Sequence, residues 1–326
     1  MDTENVLAAA QAGDEGAFRS LVEPHRRAIL AHCYRMSGSL HDAEDLTQES
    51  LLRAWKGLPA FEQRASVRTW LFKVATRVCL DEIQQRPRRA LPMDFGPANE
   101  DRGAPLLEPV WIEPSPAWMA HTTSPEAALS GRQSVKLAFL VALQRLPPRQ
   151  RAVLLLRDVL GYDAKASAAV LDMTVAAVTS ALQRARDTLA LPPASPERDL
   201  DDVARQTLEK YVSAWQHADV EALVGLLQHD AVLSMPPLPS WVSGAQAVGA
   251  ALVSMVLPPD AAGRFRLVAT EACGGQAFFA YEAKGDVFVF SALHVIELRE
   301  AAIQSITAFV DPSLAVALGA APTIAR

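Results

Sequence analysis

The chain has 326 residues, of which 50% are hydrophobic and 21% charged, and its net charge is −6. This composition is typical of globular proteins with two or three domains. It contains no run of about 20 uncharged apolar residues and no basic leader followed by an apolar one, so we expect a cytoplasmic protein without a membrane partner. The cysteines (Cys33, Cys79 and Cys273) lie too far apart for a metal motif, and we expect neither a metal nor a cofactor.

The charge changes sign along the chain. Residues 1–89 carry a net charge of +1, residues 90–131 carry −5, residues 132–190 carry +5 and residues 191–326 carry −7. A basic segment inside an acidic chain predicts a region that faces nucleic acid. A solvated basic surface would give the same count, so the charge alone leaves both interpretations open.

The predicted elements fall into six segments that differ in helix formers, proline content and hydrophobic alternation. In chain order they are a first helical block (1–89), a proline-rich acidic linker (90–131), a second helical block (132–190), a short linker (191–200), an α+β domain (201–313) and a tail (314–326). Pro24 and Pro59 are predicted to interrupt the first block. Strands are predicted at 265–272, 276–283, 287–298 and 302–310.

The first helical block contains HDAEDLTQESLLRAWKGLPAF, residues 41–61. On a helix its apolar residues form one broad stripe, and Asp42, Asp45 and Glu49 form a row on the far side at i, i+3 and i+7. Such acids stabilise the N-terminal half of a helix through its dipole. They would equally serve as a docking surface for a basic partner, and the spacing does not decide between the two.

The end of this block, residues 61–89, interleaves aromatic and basic side chains. Together these groups suit stacking on unpaired bases and contact with phosphates, although some of the aromatic residues must belong to the core. The set comprises Phe61, Trp70 and Phe72 with Arg64, Arg68, Lys73, Arg77, Arg86, Arg88 and Arg89.

DAEDLTQES…RAW and SVRTWLFKVATRVCLDEI resemble region 2 of the extracytoplasmic-function sigma factors of bacterial RNA polymerase. The resemblance implies that an acidic ridge binds the β′ clamp of core RNA polymerase. This ridge comprises Asp42, Glu44, Asp45, Gln48 and Glu49. It also implies that residues 61–77 open the −10 promoter element and capture a flipped base. The implied DNA contacts are Phe61, Arg64, Arg68, Trp70, Lys73, Arg77 and Arg86.

The second helical block has the pattern of a helix-turn-helix between residues 143 and 189. Asp163 is predicted to cap its first helix, and Thr174 to cap the second after a turn at DMT. On the second helix Val178, Leu182, Ala185 and Leu189 share an apolar face. The opposite, reading face comprises Ala176, Ser180, Gln183, Arg184 and Asp187. Arg149, Arg151 and Arg186 are predicted to contact phosphates. A generic helical hairpin would show the same apolar stripe.

LPPRQRAVLLLRDVLGY and VTSALQRAR are similar to sigma region 4, which implies binding to the −35 element and to the β flap of the polymerase. The implied DNA contacts are Arg149, Thr174, Ser180, Gln183, Arg184 and Arg186. Lys165 and Ala166 depart from the acidic residue and alanine that are common in this helix. For the acidic linker, the resemblance implies a connector that threads the active-site and RNA-exit channels of the polymerase. Its composition is equally typical of a passive tether between the two blocks. Its LEPVWIEP resembles a subgroup of sigma factors whose chains continue beyond region 4.

The last third contains LEKYVSAWQHADVEALVGLLQHDAVLSMPPLPSWVSGAQAVGAAL and, after four predicted strands, ITAFVDP. By these features residues 201–313 resemble SnoaL-like domains of the nuclear transport factor 2-like fold. The resemblance implies a cone-shaped α+β domain with a curved antiparallel sheet, which regulates the sigma part in place of a separate anti-sigma protein. Ketosteroid isomerases share the fold and need a carboxylate base. The tyrosine of that site matches Tyr211, but the base position matches Met235 beside Ser234, and His294 falls near the second acid. We therefore predict no catalysis.

The aromatic residues of this domain predict either a pocket for an unknown small ligand or an ordinary core. The pocket candidates are Tyr211, Trp215, Met235, Trp241, Phe279, Phe290 and His294. Alternation of period two places His294 on one strand face with Phe288 and Phe290. Residues 311–326 are predicted to be a frayed end or a segment that docks on region 2.

The sequence thus predicts a multidomain protein with two all-α sigma domains and an α+β domain. Its expected function is that of a sigma factor, which directs core RNA polymerase to promoter DNA. The alternative is a helix-turn-helix regulator whose SnoaL-like domain senses a small molecule or is weakly enzymatic.

Overall fold

A computed structural model describes residues 3–83, 88–99, 104–105, 111–120, 136–189 and 202–326. The chain divides into two compact units. The first unit joins residues 1–89 to residues 138–193, and the second joins residues 90–137 to residues 194–326. Both helical blocks therefore belong to one unit, while the acidic linker belongs to the unit of the α+β domain. Arg86 lies outside the described residues.

The first helical block forms four helices. They are α1 (Thr3–Gln11), α2 (Glu15–Ser37), α3 (Leu40–Gly57) and α4 (Val67–Ile83). Asp14 begins α2 by accepting a hydrogen bond from the Ala17 amide, and Gly38 ends it with a φ of 76° that a side chain would disfavour. Pro24 lies inside α2 and does not end it, contrary to the sequence prediction. Packing of α2 against α1, α3 and α4 outweighs the lost hydrogen bond.

The second helical block forms α5 (Leu137–Gln144), α6 (Pro148–Leu154), a π-helical turn (Leu155–Val159), α7 (Ala164–Leu171) and α8 (Val175–Leu189). The last two helices meet at 98°. Asp163 accepts a hydrogen bond from the Ala166 amide at 2.7 Å, and Thr174 accepts one from Ala177 at 3.1 Å. These contacts confirm both predicted caps and the helix-turn-helix geometry.

A buried arginine connects the two helical blocks. Arg151 on α6 is 3% exposed and donates to the Met36 carbonyl of α2 and to the Gln144 side chain. Burial lowers its pKa to about 10, so it stays charged at neutral pH. The prediction that Arg151 contacts phosphate is therefore wrong, because its guanidinium faces protein carbonyls and not solvent.

In the described part of the second unit, four helices pack against one sheet. The helices are α9 (Asp202–His217), α10 (Val220–Gly225), α11 (Ala245–Met255) and α12 (Leu314–Leu318). The strands are β1 (Leu227–Ser234), β2 (Trp241–Ser243), β3 (Phe265–Ala272), β4 (Gly275–Lys284), β5 (Val287–Arg299), β6 (Ala302–Phe309) and β7 (Thr323–Ala325). All four predicted strands are present, as β3 to β6. The strands β1 and β2 were not predicted.

The sheet has the order β2-β1-β6-β5-β4-β3, and β7 pairs with β5. The predicted antiparallel arrangement needs one correction: β1 runs parallel to β6, with Leu233 opposite Ile306. A parallel pair requires a long crossover, and the α11 and β3–β5 segment supplies it. The tail, for which the sequence left two alternatives, forms α12 and adds β7 to the sheet of its own unit.

A β-bulge at Ser291 changes which residues share a face of β5. Phe290 pairs with Tyr281 and Ala292 pairs with Ala280, so Ser291 is the extra residue between them. Phe290 consequently packs with Tyr281, while Ala292 joins the main core on the other face. The prediction that His294 shares a face with Phe288 and Phe290 is wrong for this reason.

Two parts of the acidic linker are hydrogen-bonded to the α+β domain. The Asn99 amide donates to the Trp241 carbonyl at 2.8 Å, and the Trp241 indole donates to the Gly96 carbonyl at 3.0 Å. Farther along, the Cys273 amide donates to the Ser115 carbonyl at 3.0 Å. Two described stretches of the linker, one at residues 96–99 and one at Ser115, therefore bind the domain. Both use main-chain hydrogen bonds of the kind by which a sheet edge binds a peptide.

Among the described residues, no single helix has the length and apolar composition needed to cross a membrane. The bent pair of α7 and α8 meets that test by length and composition together, at its 98° angle.

Candidate nucleic-acid interface

Helix α4 carries three basic residues outside its buried side. Leu71, Ala75 and Val78 are buried against the bundle. Arg68 lies at the start of the helix, and Lys73 and Arg77 lie one turn apart farther along; we call the three together the basic face. Arg68 and Arg77 are exposed and Lys73 is half-buried.

The aromatic residues predicted to contact DNA have different environments. Phe61 and Trp70 are half-buried, with ring centroids 4.9 Å apart, and they pack on the small cluster around Leu7 and Leu58. This packing holds Phe61 against Trp70 of α4 and leaves both residues partly exposed. Phe72 is fully buried and belongs to the core. Arg64 is exposed and forms an ion pair with its neighbour Glu62.

Every cation of the basic face has a partner in the second helical block. Lys73 Nζ lies 3.2 Å from one carboxylate oxygen of Asp172, and Arg77 donates to the other. The Arg68 guanidinium lies 5.7 Å from the ring centroid of Tyr162. Slight burial alone would raise the Asp172 pKa, but hydrogen bonds from Arg77 and Lys73 hold it below its usual value.

The acidic ridge on α3 is interrupted by burial. Asp42 is 7% exposed and forms an ion pair with the buried Arg89 at 2.6 Å. Its amide also donates to Ser39, which caps α3. The prediction of Asp42 as an exposed member of the ridge is therefore wrong: the carboxylate neutralises a cation that arrives from 47 residues farther along the chain.

The rest of the ridge reaches solvent. Glu44, Asp45 and Gln48 are exposed. Glu49 is half-buried and accepts from Arg53 at 2.6 Å, and Arg53 also donates to Asp81 of α4 at 2.9 Å. Arg53 was missed as a ridge neighbour, although its spacing of four from Glu49 is a recognised helical ion-pair signal.

The reading face of α8 is exposed as predicted. The side chains of Ser180, Gln183 and Arg184 are all exposed, while Val178 and Leu182 are buried beneath them. Arg184 donates to Ser180 at 2.6 Å and Gln183 donates to Asp187 at 2.8 Å. These contacts within one helix orient side chains of the types that are able to read base edges in a major groove.

The predicted phosphate contacts of the second block separate into two kinds. Arg149 is exposed at the start of α6, beside the buried Arg151. Arg186 is exposed but makes a two-pronged ion pair with Asp158, at 2.7 and 3.0 Å. Thr174 caps α8 through its hydroxyl, so this residue stabilises the helix whatever else it contacts.

In the α+β domain the structure brings together three of the predicted pocket residues. Tyr211 and His294 share a hydrogen bond of 2.9 Å, and the Trp215 ring lies 4.7 Å from that of His294. Tyr211 and His294 are 0% and 3% exposed. Burial lowers the pKa of His294 to about 4, so the ring is neutral at pH 7.

The other pocket candidates lie elsewhere in this domain. Met235 and Trp241 line a small cavity with Asn99 and the buried Ser240. Phe279 and Phe290 pack on each other at 5.9 Å in the separate cluster on the far face of the sheet. The seven candidates therefore do not form one pocket, and the linker residue Asn99 contributes to the lining of the cavity that Met235 shares.

Three family models match this chain. Sigma-70 region 2 matches residues 21–89, sigma-70 region 4 matches residues 136–189, and the SnoaL-like domain matches residues 208–306. These ranges fall within the first helical block, the second helical block and the α+β domain. The basic face and the acidic ridge lie in the first match, and the reading face lies in the second.

Two relatives and one solved structure are similar to this chain over more than half of its length. The ECF RNA polymerase sigma factor SigG of Mycobacterium tuberculosis is 41% identical over 306 residues, which cover 92% of this chain and 82% of the relative. The ECF sigma factor SigJ of the same species is 29% identical over 64% of this chain and 61% of its own length. The crystal structure of M. tuberculosis SigJ has the same fold, with a TM-score of 0.61 at 22% identity, over 95% of this chain and 100% of that one.

Proposed function

The chain belongs to the extracytoplasmic-function family of RNA polymerase sigma factors, and we propose from this premise how its parts divide the work of transcription initiation. The first block binds core polymerase and the −10 element, the second block reads the −35 element, and the α+β domain regulates both. The observation that carries this proposal is an exposed reading face on the second helix of a helix-turn-helix, in one unit with the basic face of α4.

Contact with the −10 element is assigned to α4 and the segment before it. Phe61 and Trp70 offer partly exposed rings on which an extruded base can stack. Lys73 and Arg77 supply charge for the phosphates on either side. Phe72 has no part in this contact because it is buried.

Recognition of the −35 element is assigned to α8. Arg184 and Gln183 are suited to guanine and adenine edges, and Ser180 to either. Arg149 and Arg186 are placed to hold the DNA backbone, which positions the helix without reading sequence.

Binding of core polymerase is assigned to the part of the acidic ridge that reaches solvent. This part comprises Glu44, Asp45, Gln48 and Glu49. Complementary charge between this ridge and a basic coiled coil would speed association and fix its register. Asp42 supports the ridge from within, through its buried ion pair with Arg89.

The α+β domain is assigned a regulatory role without catalysis. Two features support this role: the linker is hydrogen-bonded to the domain at Asn99 and Ser115, and Met235 stands where the fold's isomerases need a carboxylate. A thioether does not accept a proton at neutral pH, and the hydroxyl of the buried Tyr211 is hydrogen-bonded to the buried His294. The domain therefore acts through the linker that joins the two blocks.

Binding to core RNA polymerase tests the first assignment. We expect Asp45→Lys to weaken binding at least tenfold, because it reverses a charge at the centre of the ridge. Glu221→Lys, the same charge change at an exposed position on α10, serves as the control and should leave the affinity unchanged. Equal affinities for the two variants would contradict the ridge. Tight duplex binding by the protein without polymerase would instead favour an ordinary helix-turn-helix repressor.

Transcription in vitro tests the regulatory assignment. Deleting residues 200–326, or removing the indole donor to Gly96 by Trp241→Phe, should change the yield of promoter-directed transcripts with core polymerase. Trp55→Phe makes the same substitution in the first block and is the control. Identical yields from the full chain, the truncated chain and Trp241→Phe would remove the regulatory role.

A further inference from the structure

We propose that Asp172 occupies the basic face of α4 in the place of a DNA phosphate, and so masks the −10 surface of the protein when polymerase is not bound. This inference rests on the proposed function of α4. It adds a partner for that surface, namely the turn of the protein's own helix-turn-helix.

The position of Asp172 suits this role. It ends α7 in the left-handed conformation, with φ of 52° and its amide donating to the Ala168 carbonyl. Lys73 and Arg77 are four residues apart on α4, so their side chains lie on the same face of the helix, and each contacts a different oxygen of the Asp172 carboxylate. A carboxylate with two oxygens on two cations reproduces the contact that a phosphate makes.

Neighbouring contacts extend the mask along α4. Arg68 lies over the ring of Tyr162, which also meets the ring of Phe72 at 6.2 Å. Tyr162 and Asp172 stand at the two ends of α7, so the same short helix contacts all three cations of the basic face. The mask is thus one surface of the second block and not an isolated ion pair.

The ion pairs between Asp172 and the basic face are exposed to solvent. The side chain of Asp172 is 61% exposed, and that of Arg77 is 49% exposed. Ion pairs so close to water contribute little to stability and weaken further as salt rises. A polyanion that offers several phosphates can therefore displace a single carboxylate.

Affinity for single-stranded DNA, measured by fluorescence anisotropy on the full chain without polymerase, tests the mask. The probe is a fluorescein-labelled oligonucleotide of mixed sequence, about 20 nucleotides long, titrated from about 50 to 200 mM salt. The test variant is Asp172→Asn, because asparagine keeps the shape and readily adopts the left-handed conformation. The control is Asp163→Asn, which removes the same charge from the same block while still capping α7.

We expect Asp172→Asn to raise the affinity about tenfold at the lowest salt, and Asp163→Asn to raise it far less. The slope of log affinity against log salt should steepen by about 1.4, since each freed cation adds about 0.7 on a single strand. Adding Lys73→Ala and Arg77→Ala to Asp172→Asn should remove the gain.

Two results would overturn the mask: equal affinities for Asp172→Asn and Asp163→Asn, or a gain that persists without Lys73 and Arg77. Binding of the same proteins to core polymerase separates this failure from failure of the proposed function. If the wild type binds core polymerase and Asp172→Asn gains no DNA affinity, the mask alone is wrong. If the wild type does not bind core polymerase, the proposed function is wrong.

Discussion

On α4, Lys73 and Arg77 donate to a carboxylate of the second helical block, whereas on α8 Arg184 and Gln183 donate to residues of their own helix. Both surfaces combine exposed cations with a buried apolar side. They differ in the partners of their polar side chains. The cations of α4 contact a residue of the second helical block, whereas the polar side chains of α8 are oriented by residues of the same helix.

This difference would allow the chain to control the two proposed DNA-binding surfaces separately. A side chain oriented by its own helix keeps that orientation whatever the neighbouring domain does. A side chain held by another block depends on the arrangement of the two blocks. The packing between the blocks therefore affects the α4 surface far more than the α8 surface.

The largest effect is expected where the blocks are joined. Arg151→Met should lower the free energy of unfolding of the first unit by about 3 kcal/mol, because it leaves several buried carbonyls without a donor. Arg149→Met, two residues away and exposed, should change it by less than about 0.5 kcal/mol. Urea unfolding measures both, and similar values for the two would show that the arginine contributes nothing special to the contact between the blocks.

The next effect concerns the buried residues that support the two surfaces, above all the buried His32 next to α4. His32 supports α4 by donating from Nε2 to the Thr76 hydroxyl at 3.0 Å, while the hydroxyl donates to the Phe72 carbonyl. The buried side of α8 itself is apolar and includes Val178 and Leu182. Burial, with a smaller contribution from Arg35, lowers the pKa of His32 to about 3 from 6.5.

Acid should therefore destabilise the first unit through His32. As the pH falls below 6.5 the unfolded chain takes up a proton that the folded chain does not, so this contribution to stability is lost between about pH 6.5 and pH 3. At pH 5 the loss is about 2 kcal/mol. In urea unfolding at pH 7 and pH 5, His32→Gln should show a smaller loss than the wild type, since glutamine donates the same hydrogen bond without titrating. Parallel pH profiles for the two would rule this out.

A third prediction addresses the α8 surface alone. In the complex with core polymerase, Arg184→Ala should reduce transcription from a matched −35 element about tenfold and relax the sequence preference at one position. Arg149→Ala should instead weaken transcription evenly across −35 variants, because a phosphate contact carries no sequence information. If both variants lose activity evenly, α8 does not read bases through Arg184.

The smallest effect separates masking from folding at the α4 surface. Asp172→Asn should change the free energy of unfolding by less than about 1 kcal/mol, since its ion pairs are exposed. The same variant is expected to gain DNA affinity. A loss of several kcal/mol in urea unfolding would mean that Asp172 stabilises the unit instead of covering a surface.

The sequence predicted much of the local structure. The caps at Asp163 and Thr174, the reading face of α8 and the strands β3 to β6 depend on residues within a few positions of one another. Hydrogen bonds to the first turn of a helix and alternation along a strand are local properties, so a single chain reveals them. The membership of each aromatic residue in the core or on the surface was less accessible, as Phe72 and Phe61 show.

Errors arose where a partner comes from far along the chain. Asp42 and Asp45 have similar sequence surroundings, but only Asp42 is buried in an ion pair with Arg89. Likewise, Arg151 lies two residues from the exposed Arg149, but its guanidinium donates to the Met36 carbonyl. The bulge at Ser291 shifted a whole strand face by one residue. Periodicity identifies which side of an element is apolar, but it does not identify which charges at the border will find partners.

The amino-acid sequence by itself determined the order of the domains, the helix-turn-helix and the chemistry of the two proposed DNA-binding surfaces, because these follow from local spacing and side-chain type. The tertiary structure alone decided which charges are available. It placed Asp172 on Lys73 and Arg77, and it joined Asn99 to Trp241 across a long stretch of chain. An ion pair depends on distance in space, and distance in space between remote residues is set only when the elements pack.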